Sequence, residues 1–339
     1  MTAIPDAETI VPIPDPSRLT ADHPKDGKYR ILSLDGGGAK GFYTLGVLHE
    51  VEAMLNCPLH KHFDLVYGTS TGAIIASLIS LGYEVNQIHD LYMKYVPEVM
   101  REKKPAKKSL ALANLAQTIF GDKQFTDVKT GIGIVATKWV IERPMIFKGS
   151  VVQAHGRLGS FIPGFGVNIA DAVQASCSAV PFFEHKKVTT SAGDIIDLID
   201  GGYCANNPTL YAIADAIHAV KKAREDIRVL SIGVGVYPEP MPDWKMWFAK
   251  RYLVSVQLLQ KTLEINTQSM EQLRAILFKD IQTVRINDTF DKPEMATDFM
   301  EYDLTKLNVL RQRGRESFAA KEAEIKACIS PLQTIPSAG

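Results

Sequence analysis

Residues 63–81 read Phe-Asp-Leu-Val-Tyr-Gly-Thr-Ser-Thr-Gly-Ala-Ile-Ile-Ala-Ser-Leu-Ile-Ser-Leu. This stretch predicts a short buried strand at 63–67, a sharp turn and an apolar helix over about 71–81. The turn matches G-x-S-x-G, in which a strained strand-to-helix turn lifts the serine hydroxyl above the sheet. Small residues at Gly68 and Gly72 let the strand and helix pass closely, so Ser70 is a candidate nucleophile in a nucleophile elbow. The alternative is an ordinary loop in which Ser or Thr caps a helix.

Another predicted strand, glycine turn and helix precede residues 63–81. Residues 29–34 (Tyr-Arg-Ile-Leu-Ser-Leu) predict a buried strand, Asp35-Gly-Gly-Gly-Ala-Lys-Gly41 follows, and a helix is predicted to about residue 55. Further strand-like segments occur at 131–137, 144–148, 195–199 and 228–234, and a helix is predicted over about 208–223. The alternation of strands and helices predicts an α/β fold with a mainly parallel central sheet.

The glycine cluster after the first strand has two interpretations. Successive glycines expose several backbone N–H groups on one concave surface that binds an anion, such as the oxyanion of acyl transfer. Gly36, Gly38 and Gly41 also satisfy the dinucleotide pattern G-x-G-x-x-G. That pattern requires an acidic residue at the end of the next strand, whereas Asp64 lies near its start. We therefore interpret the cluster as an oxyanion loop.

A serine nucleophile needs a base, and two kinds of residue are candidates. His155 and His185 lie in mid-chain, but neither sits in a recognisable catalytic loop. Asp200 ends the strand predicted at 195–199 and is followed by two glycines. We expect it at the same carboxyl edge of the sheet as Ser70, where partial burial would raise its pKa and favour proton transfer. The alternative is an Asp that starts an ordinary turn.

Composition excludes several classes of protein. The 339 residues contain 38 Lys+Arg and 38 Asp+Glu, and a balanced charge argues against binding to DNA or RNA polymers. The 4 cysteines are widely spaced, which predicts neither disulfides nor a zinc ribbon. No apolar run is long enough to span a bilayer, and residues 1–27 are proline-rich without the pattern of a signal peptide. We expect a cytoplasmic protein whose membrane contact is peripheral.

Four blocks of this sequence together resemble the patatin-like phospholipase family. They are the Asp35–Gly41 loop, the Gly68–Gly72 elbow, Ala175-Ser-Cys-Ser-Ala-Val-Pro-Phe-Phe183, and Asp200-Gly-Gly-Tyr-Cys-Ala-Asn-Asn-Pro208. The resemblance covers roughly residues 29–236. It implies a three-layer α/β/α fold and a Ser-Asp dyad without histidine. On matching positions, Ser70 is the nucleophile, Asp200 the base, and Gly36, Gly37 and Gly38 the oxyanion loop. One departure is Lys40, where the family usually has Arg.

The resemblance also implies an activity and a form of control. It implies hydrolysis of membrane phospholipids to fatty acids through an acyl-enzyme, with no metal and no catalytic cofactor. The chain resembles bacterial antiphage effectors that a cyclic dinucleotide such as cyclic GMP-AMP activates. We expect this protein to associate peripherally with the inner membrane when it is active. Alternatives are an unregulated acyl hydrolase, or a non-enzymatic sensor whose glycine loop holds a nucleotide phosphate. Whether the protein forms a homo-oligomer stays open.

The predicted organisation has three parts. Residues 1–27 form an extended proline-rich arm, 28–240 the catalytic domain, and 241–330 a mainly helical extension packed on it, with one β-like segment at 282–286. Two segments are candidates for contact with lipid. The basic run at 101–108 is more typical of a solvated loop. The aromatic helical face at 244–256 is more typical of a core or an oligomer contact.

Overall fold

The structure is a computed structural model that describes residues 26–238 and 250–330, with side chains described from residue 257 in the second range. The strands are β1 (Tyr29–Leu34), β2 (Leu65–Thr69), β3 (Gly131–Lys138), β4 (Arg143–Lys148), β5 (Lys186–Thr189), β6 (Ile195–Asp200), β7 (Ile227–Ile232) and β8 (Gln282–Ile286). The α-helices are α1 (Gly41–Leu55), α2 (Thr71–Leu81), α3 (Val85–Arg101), α4 (Pro105–Phe120), α5 (Ile169–Ser176), α6 (Gly202–Ala205), α7 (Thr209–Ala214), α8 (Lys250–Leu277) and α9 (Leu304–Ile329).

These strands form one mixed sheet in the order β5-β6-β3-β2-β1-β7-β8, and β4 also pairs with β3. The strands β3, β2, β1, β7 and β8 run parallel, whereas β4, β5 and β6 form antiparallel pairs. Along β1, Leu32 and Leu34 belong to one buried cluster and Ile31 to another, so both faces of the sheet are covered. This confirms the α/β/α layers and the mainly parallel sheet.

The antiparallel direction of β6 corrects one expectation. On β3, residues 133–135 pair with both β2 and β4, and residues 136–138 pair with both β6 and β4, so β2 and β6 lie along the same edge of β3. Thr69 pairs with Val135, and Asp200 pairs with the next residue, Ala136. The two strands therefore run towards each other and meet end to end. Ser70 and Asp200 are neighbours for this reason, and not because two parallel strands end at one edge.

The chain after residue 250 is mainly helical, and β8 within it extends the sheet beside β7. Helix α9 packs so closely on α1 that a side chain at Gly46 would overlap the carbonyl of Arg311, and one at Gly314 would overlap the carbonyl of Tyr43. The two glycines allow this close packing. The division of the chain near residue 240 stays a prediction. The predicted arm at 1–27 lies outside the described residues apart from Asp26 and Gly27, and the side chains at 244–256 lie outside them as well.

The basic run at 101–108 is not a solvated loop throughout. It spans the end of α3 and the first turn of α4, and Lys108 is buried. Its amine donates a hydrogen bond of 3.0 Å to the Met100 carbonyl at the end of α3. Lys108 therefore ties together two helices that border the cleft described below.

Within the described ranges, no helix is both long enough and apolar enough to cross a membrane.

Candidate active site

Ser70 lies on the predicted turn between β2 and α2. Its backbone has φ 52° and ψ −122°, a conformation that is strained for a residue with a side chain. A Cβ at Gly72 would lie 2.7 Å from the Asp35 carbonyl oxygen, and one at Gly68 would lie 2.6 Å from the Ala73 nitrogen. The two glycines are therefore required because the backbones of the strand, the helix and the glycine loop approach so closely at this turn.

The Ser70 hydroxyl donates a hydrogen bond of 2.7 Å to Asp200 Oδ2. The other oxygen of this carboxyl accepts the Gly202 N–H at 2.7 Å. Asp200 is only 2% exposed. Burial raises its pKa from the usual 3.8 to about 7, although the hydrogen bonds from Gly202 and Ser70 act in the opposite direction. A carboxyl with this pKa is well matched to proton transfer near neutral pH.

The glycine loop lies beside this pair and is held at both ends. The Gly36 N–H donates to the Asn206 carbonyl at 3.0 Å, and the Ala39 N–H donates to the Phe299 carbonyl at 2.9 Å. Gly37 and Gly38 between them line the same cleft as Ser70 and Asp200. Among the described residues, neither of their N–H groups donates a hydrogen bond. The oxyanion role of Gly36, Gly37 and Gly38 stays a prediction; since the Asn206 carbonyl already accepts the Gly36 N–H, the Gly37 and Gly38 N–H groups are the candidate donors.

An ion pair anchors the start of the glycine loop. Both terminal guanidinium nitrogens of Arg285, on β8, donate to the carboxylate of Asp35, Nη1 at 2.9 Å. Arg285 also donates to the Ser231 hydroxyl at 2.9 Å. Asp35 is buried, and burial raises its pKa to about 6 despite the opposing effect of Arg285. Sequence reasoning missed Arg285, because nothing local marks a β8 residue as the partner of a loop 250 positions earlier.

Two further polar residues position the site. Ser176 Oγ accepts the Ser70 N–H at 2.9 Å and donates to the Val135 carbonyl at 2.6 Å. Asn206 Nδ2 donates to the Gly36 carbonyl at 3.3 Å and to Thr267 at 2.8 Å. Both residues lie in sequence blocks that carry the family resemblance, which is the signal that could have identified them.

The cleft above Ser70 is apolar. Side chains from α3, α4, α8 and two loops line it, among them Met100, Leu112, Leu115, Phe183, Leu263 and Phe299. Its internal volume is about 70 Å³, well below the roughly 300–1,000 Å³ of typical ligand pockets. The surface suits a hydrocarbon chain, although the space inside the cleft is small in this structure.

The histidines considered as alternative bases lie elsewhere. His155 Nε2 is 2.6 Å from Asp215, and His185 Nδ1 is 3.2 Å from Asp197. Neither residue lines the cleft that contains Ser70. The structure therefore brings Ser70 together with Asp200 and with the loop of Gly36, Gly37 and Gly38, and it leaves both histidines outside the site. A strained serine, a buried carboxyl and unengaged backbone N–H groups in the described residues, beside an apolar cleft, form the site of a serine acyl hydrolase.

Comparisons with known proteins identify the family. Residues 32–213 match the family model described as patatin-like phospholipase. A relative from Escherichia coli, the "cUMP-AMP-activated phospholipase", is 68% identical over 311 residues, which cover 92% of this chain and 97% of the relative. A "cGAMP-activated phospholipase" from Vibrio cholerae serotype O1 is 25% identical over 235 residues, 60% of this chain and 63% of that relative. The chain belongs to the patatin-like phospholipase family and is a serine acyl hydrolase, which excludes the non-enzymatic sensor.

Proposed function

We propose that this protein hydrolyses membrane phospholipids with a Ser70–Asp200 dyad and that a cyclic dinucleotide activates it in antiphage defence. The observation that carries the dyad is the hydrogen bond of 2.7 Å from the Ser70 hydroxyl to a buried carboxyl. Because the described residues place no histidine in this cleft, Asp200 is the one group in contact with Ser70 that has a pKa suited to a base.

The proposed reaction has two halves. Asp200 accepts the Ser70 proton while the serine oxygen attacks the ester carbonyl carbon, and the Gly37 and Gly38 N–H groups stabilise the oxyanion. The tetrahedral intermediate collapses to an acyl-enzyme, and the leaving alcohol takes the proton from Asp200. Water then gives a proton to Asp200 and attacks the acyl-enzyme, which releases the fatty acid and returns the proton to Ser70.

We infer activation by a cyclic dinucleotide from the names of the relatives. The relative at 68% identity is named for cUMP-AMP, whereas three relatives named for cGAMP are 25%, 24% and 26% identical. We therefore propose cUMP-AMP as the activator, a choice among cyclic dinucleotides that the sequence left open. The narrow cleft supports the need for an activator, because a bound ligand that favours a wider cleft would shift the population towards a form that admits lipid.

We place the membrane contact at the turn between β3 and β4. Trp139, Val140 and Ile141 are consecutive and 50%, 77% and 54% exposed. Exposed apolar side chains of this kind, with a Trp among them, are typical of surfaces that insert into the lipid interface. Strand β3 runs parallel to β2 and continues past the level of Ser70. The turn after β3 therefore projects from the C-terminal end of these strands, which is also the end at which the cleft lies. The protein would then act from the cytoplasm by peripheral contact with the inner membrane.

Fatty-acid release from phospholipid vesicles tests the proposal. We expect release by the wild-type protein with cUMP-AMP, and loss of release in Ser70→Ala and Asp200→Ala. Ser77→Ala is the matched control, because Ser77 lies buried on the same helix and bonds only the Ala73 carbonyl. A fluorophosphonate probe should label the wild-type protein and not Ser70→Ala. Full activity of Asp200→Ala would rule out the dyad, and equal release without any nucleotide would support the unregulated hydrolase.

A further inference from the structure

A second cavity lies apart from the cleft above Ser70. It has a volume of about 590 Å³ and lies between β4, residues 153–165 and the turn that joins β5 to β6. Its volume falls within the range of small-molecule sites, roughly 300–1,000 Å³. It shares no lining residue with the Ser70 cleft, so it can hold a ligand while lipid occupies the active site.

The charges around this cavity favour an anion. Lys138, Lys148, His155 and Arg157 line it, against a single carboxylate, Asp194. Within the described part of the chain, neither Lys138 nor Arg157 takes part in an ion pair. Arg157 is exposed and presents a planar fork that matches phosphate geometry. Lys148 and His155 both contact the buried carboxylate of Asp215, so the positive charge left for a ligand comes from Lys138 and Arg157, in excess of Asp194.

Aromatic and hydroxyl groups accompany these charges. Phe161 and Phe165 line the cavity together with Ser160 and Ser191. Phe165 is 44% exposed although it is a large apolar side chain, and its backbone has φ 57°. A residue held in this conformation with its ring exposed suggests a constrained contact surface. Bases stack on aromatic rings, and hydroxyls bond base edges or phosphates.

We propose that this cavity binds the cyclic dinucleotide, with the basic side chains on the two phosphates and the phenylalanines against the bases. The inference rests on the proposed activation, and it assigns that activation to a particular site. An anionic ligand with two flat aromatic groups satisfies both the charge and the aromatic lining. A lipid head group would satisfy only the charge.

The cavity is connected to the catalytic pair through the sheet. Strand β4, which forms one wall, pairs with β3, and β3 in turn pairs with Thr69 and with Asp200 at adjacent positions. A second connection is the buried Asp215, which accepts hydrogen bonds from Lys148 and from the Tyr67 hydroxyl on β2. Tyr67 lies three residues before Ser70. A ligand that engages Lys148 therefore acts on groups that share contacts with both catalytic strands.

The backbone at Asp215 adds a reason to expect movement. Asp215 begins a π-helical turn, Asp215–Ala219, that directly follows α7. π-Helical turns inside helices occur frequently at functional sites. This turn also interrupts the single helix that the sequence predicts over 208–223. Asp215, shared by Lys148, His155 and Tyr67, therefore sits where the helix geometry is irregular.

Direct binding tests the assignment, with cUMP-AMP titrated calorimetrically into the full-length protein. We expect Arg157→Ala and Phe165→Ala each to raise Kd about tenfold or more, since each removes a phosphate or a base contact. Lys279→Ala is the matched control, because Lys279 is exposed on the loop before β8 and far from the cavity in sequence. Circular dichroism should verify that both cavity variants fold. The concentration of cUMP-AMP that half-activates fatty-acid release should rise in parallel with Kd.

Different results would contradict the assignment of the site and the activation by cUMP-AMP. If the wild-type protein binds cUMP-AMP and both cavity variants bind it within twofold of the wild-type Kd, the site assignment is wrong and the activation stands. If the wild-type protein neither binds the nucleotide nor responds to it, both are wrong. A tenfold loss in Lys279→Ala equal to that in Arg157→Ala would also contradict the assignment, because the effect would then be nonspecific.

Discussion

Replacing Asp200 by Asn should make the protein more stable while it abolishes hydrolysis. The carboxyl is 2% exposed, and burial raises its pKa from 3.8 to about 7. The fold therefore holds an ionised group that burial disfavours at neutral pH. Asn has nearly the same shape, keeps an oxygen that can accept the Gly202 N–H and never ionises. Removing a base that contacts the nucleophile should lower kcat by about 10²–10⁴-fold.

The size and sign of the stability change follow from linkage. Because the pKa is higher in the folded state than in the unfolded chain, the folded state binds the proton more tightly between about pH 4 and pH 7. The free energy of unfolding of the wild-type protein therefore falls as pH rises through this window and levels off above it. A shift from 3.8 to about 7 corresponds to about 4 kcal/mol at pH 8. That value is an upper bound, since an amide pairs less favourably than a carboxylate with the Ser70 hydroxyl.

Scanning calorimetry of both proteins between pH 4.5 and 8.5 measures this effect. We expect the melting temperatures to be close at pH 4.5 and to separate progressively up to about pH 7, with Asp200→Asn the higher. Asp35 titrates in both proteins, so its contribution cancels. Asp197→Asn is the control, because Asp197 lies on the same strand but its side chain is 23% exposed and contacts His185. An Asp200→Asn protein no more stable than the wild type at pH 8, or a difference independent of pH, would refute the reasoning.

Three further predictions concern the pH profile, the loop anchor and the membrane contact. Hydrolysis of a soluble short-chain ester should rise about tenfold from pH 6 to pH 8, because the ionised form of Asp200, with a pKa of about 7, is the base; a flat kcat/KM profile would contradict this. Arg285→Met should cost about 3–5 kcal/mol in chemical denaturation, because it leaves the buried Asp35 carboxylate unpaired, and adding Asp35→Asn should recover part of the loss. Trp139→Ser should weaken sedimentation with phospholipid vesicles by removing a half-exposed ring; equal sedimentation of the two proteins would argue against the β3–β4 turn as the contact.

Much of the site could be predicted because its signals are local. The helix expected over about 71–81 is α2 (Thr71–Leu81), and the turn before it has the strained Ser70 that G-x-S-x-G predicts. The close approaches at Gly68 and Gly72 explain why that spacing is informative. The glycines after β1 line the predicted cleft as well, although Asn206 occupies one of their N–H groups.

Other features were not predictable from local pattern. Strand β5 reads Lys-Lys-Val-Thr, and only Val188 in it is buried. It is polar because a strand at the end of the sheet buries little of its surface, so its sequence lacks the apolar pattern of a strand. The direction of β6 was also hidden, since a short apolar segment gives no indication of whether it runs parallel or antiparallel. Its direction is nevertheless what brings Asp200 to Ser70.

The sequence by itself determined which residues carry the chemistry. It did so because glycines, a strained serine turn and strand-to-helix alternation are encoded over a few neighbouring positions, where backbone sterics act. Only the tertiary structure decided how these residues meet. Ser70 contacts Asp200 across 130 positions, and Asp35 contacts Arg285 across 250. Such contacts depend on the register of the sheet and on burial, and both are properties of the assembled sheet and its helices. The same burial raises the Asp200 pKa.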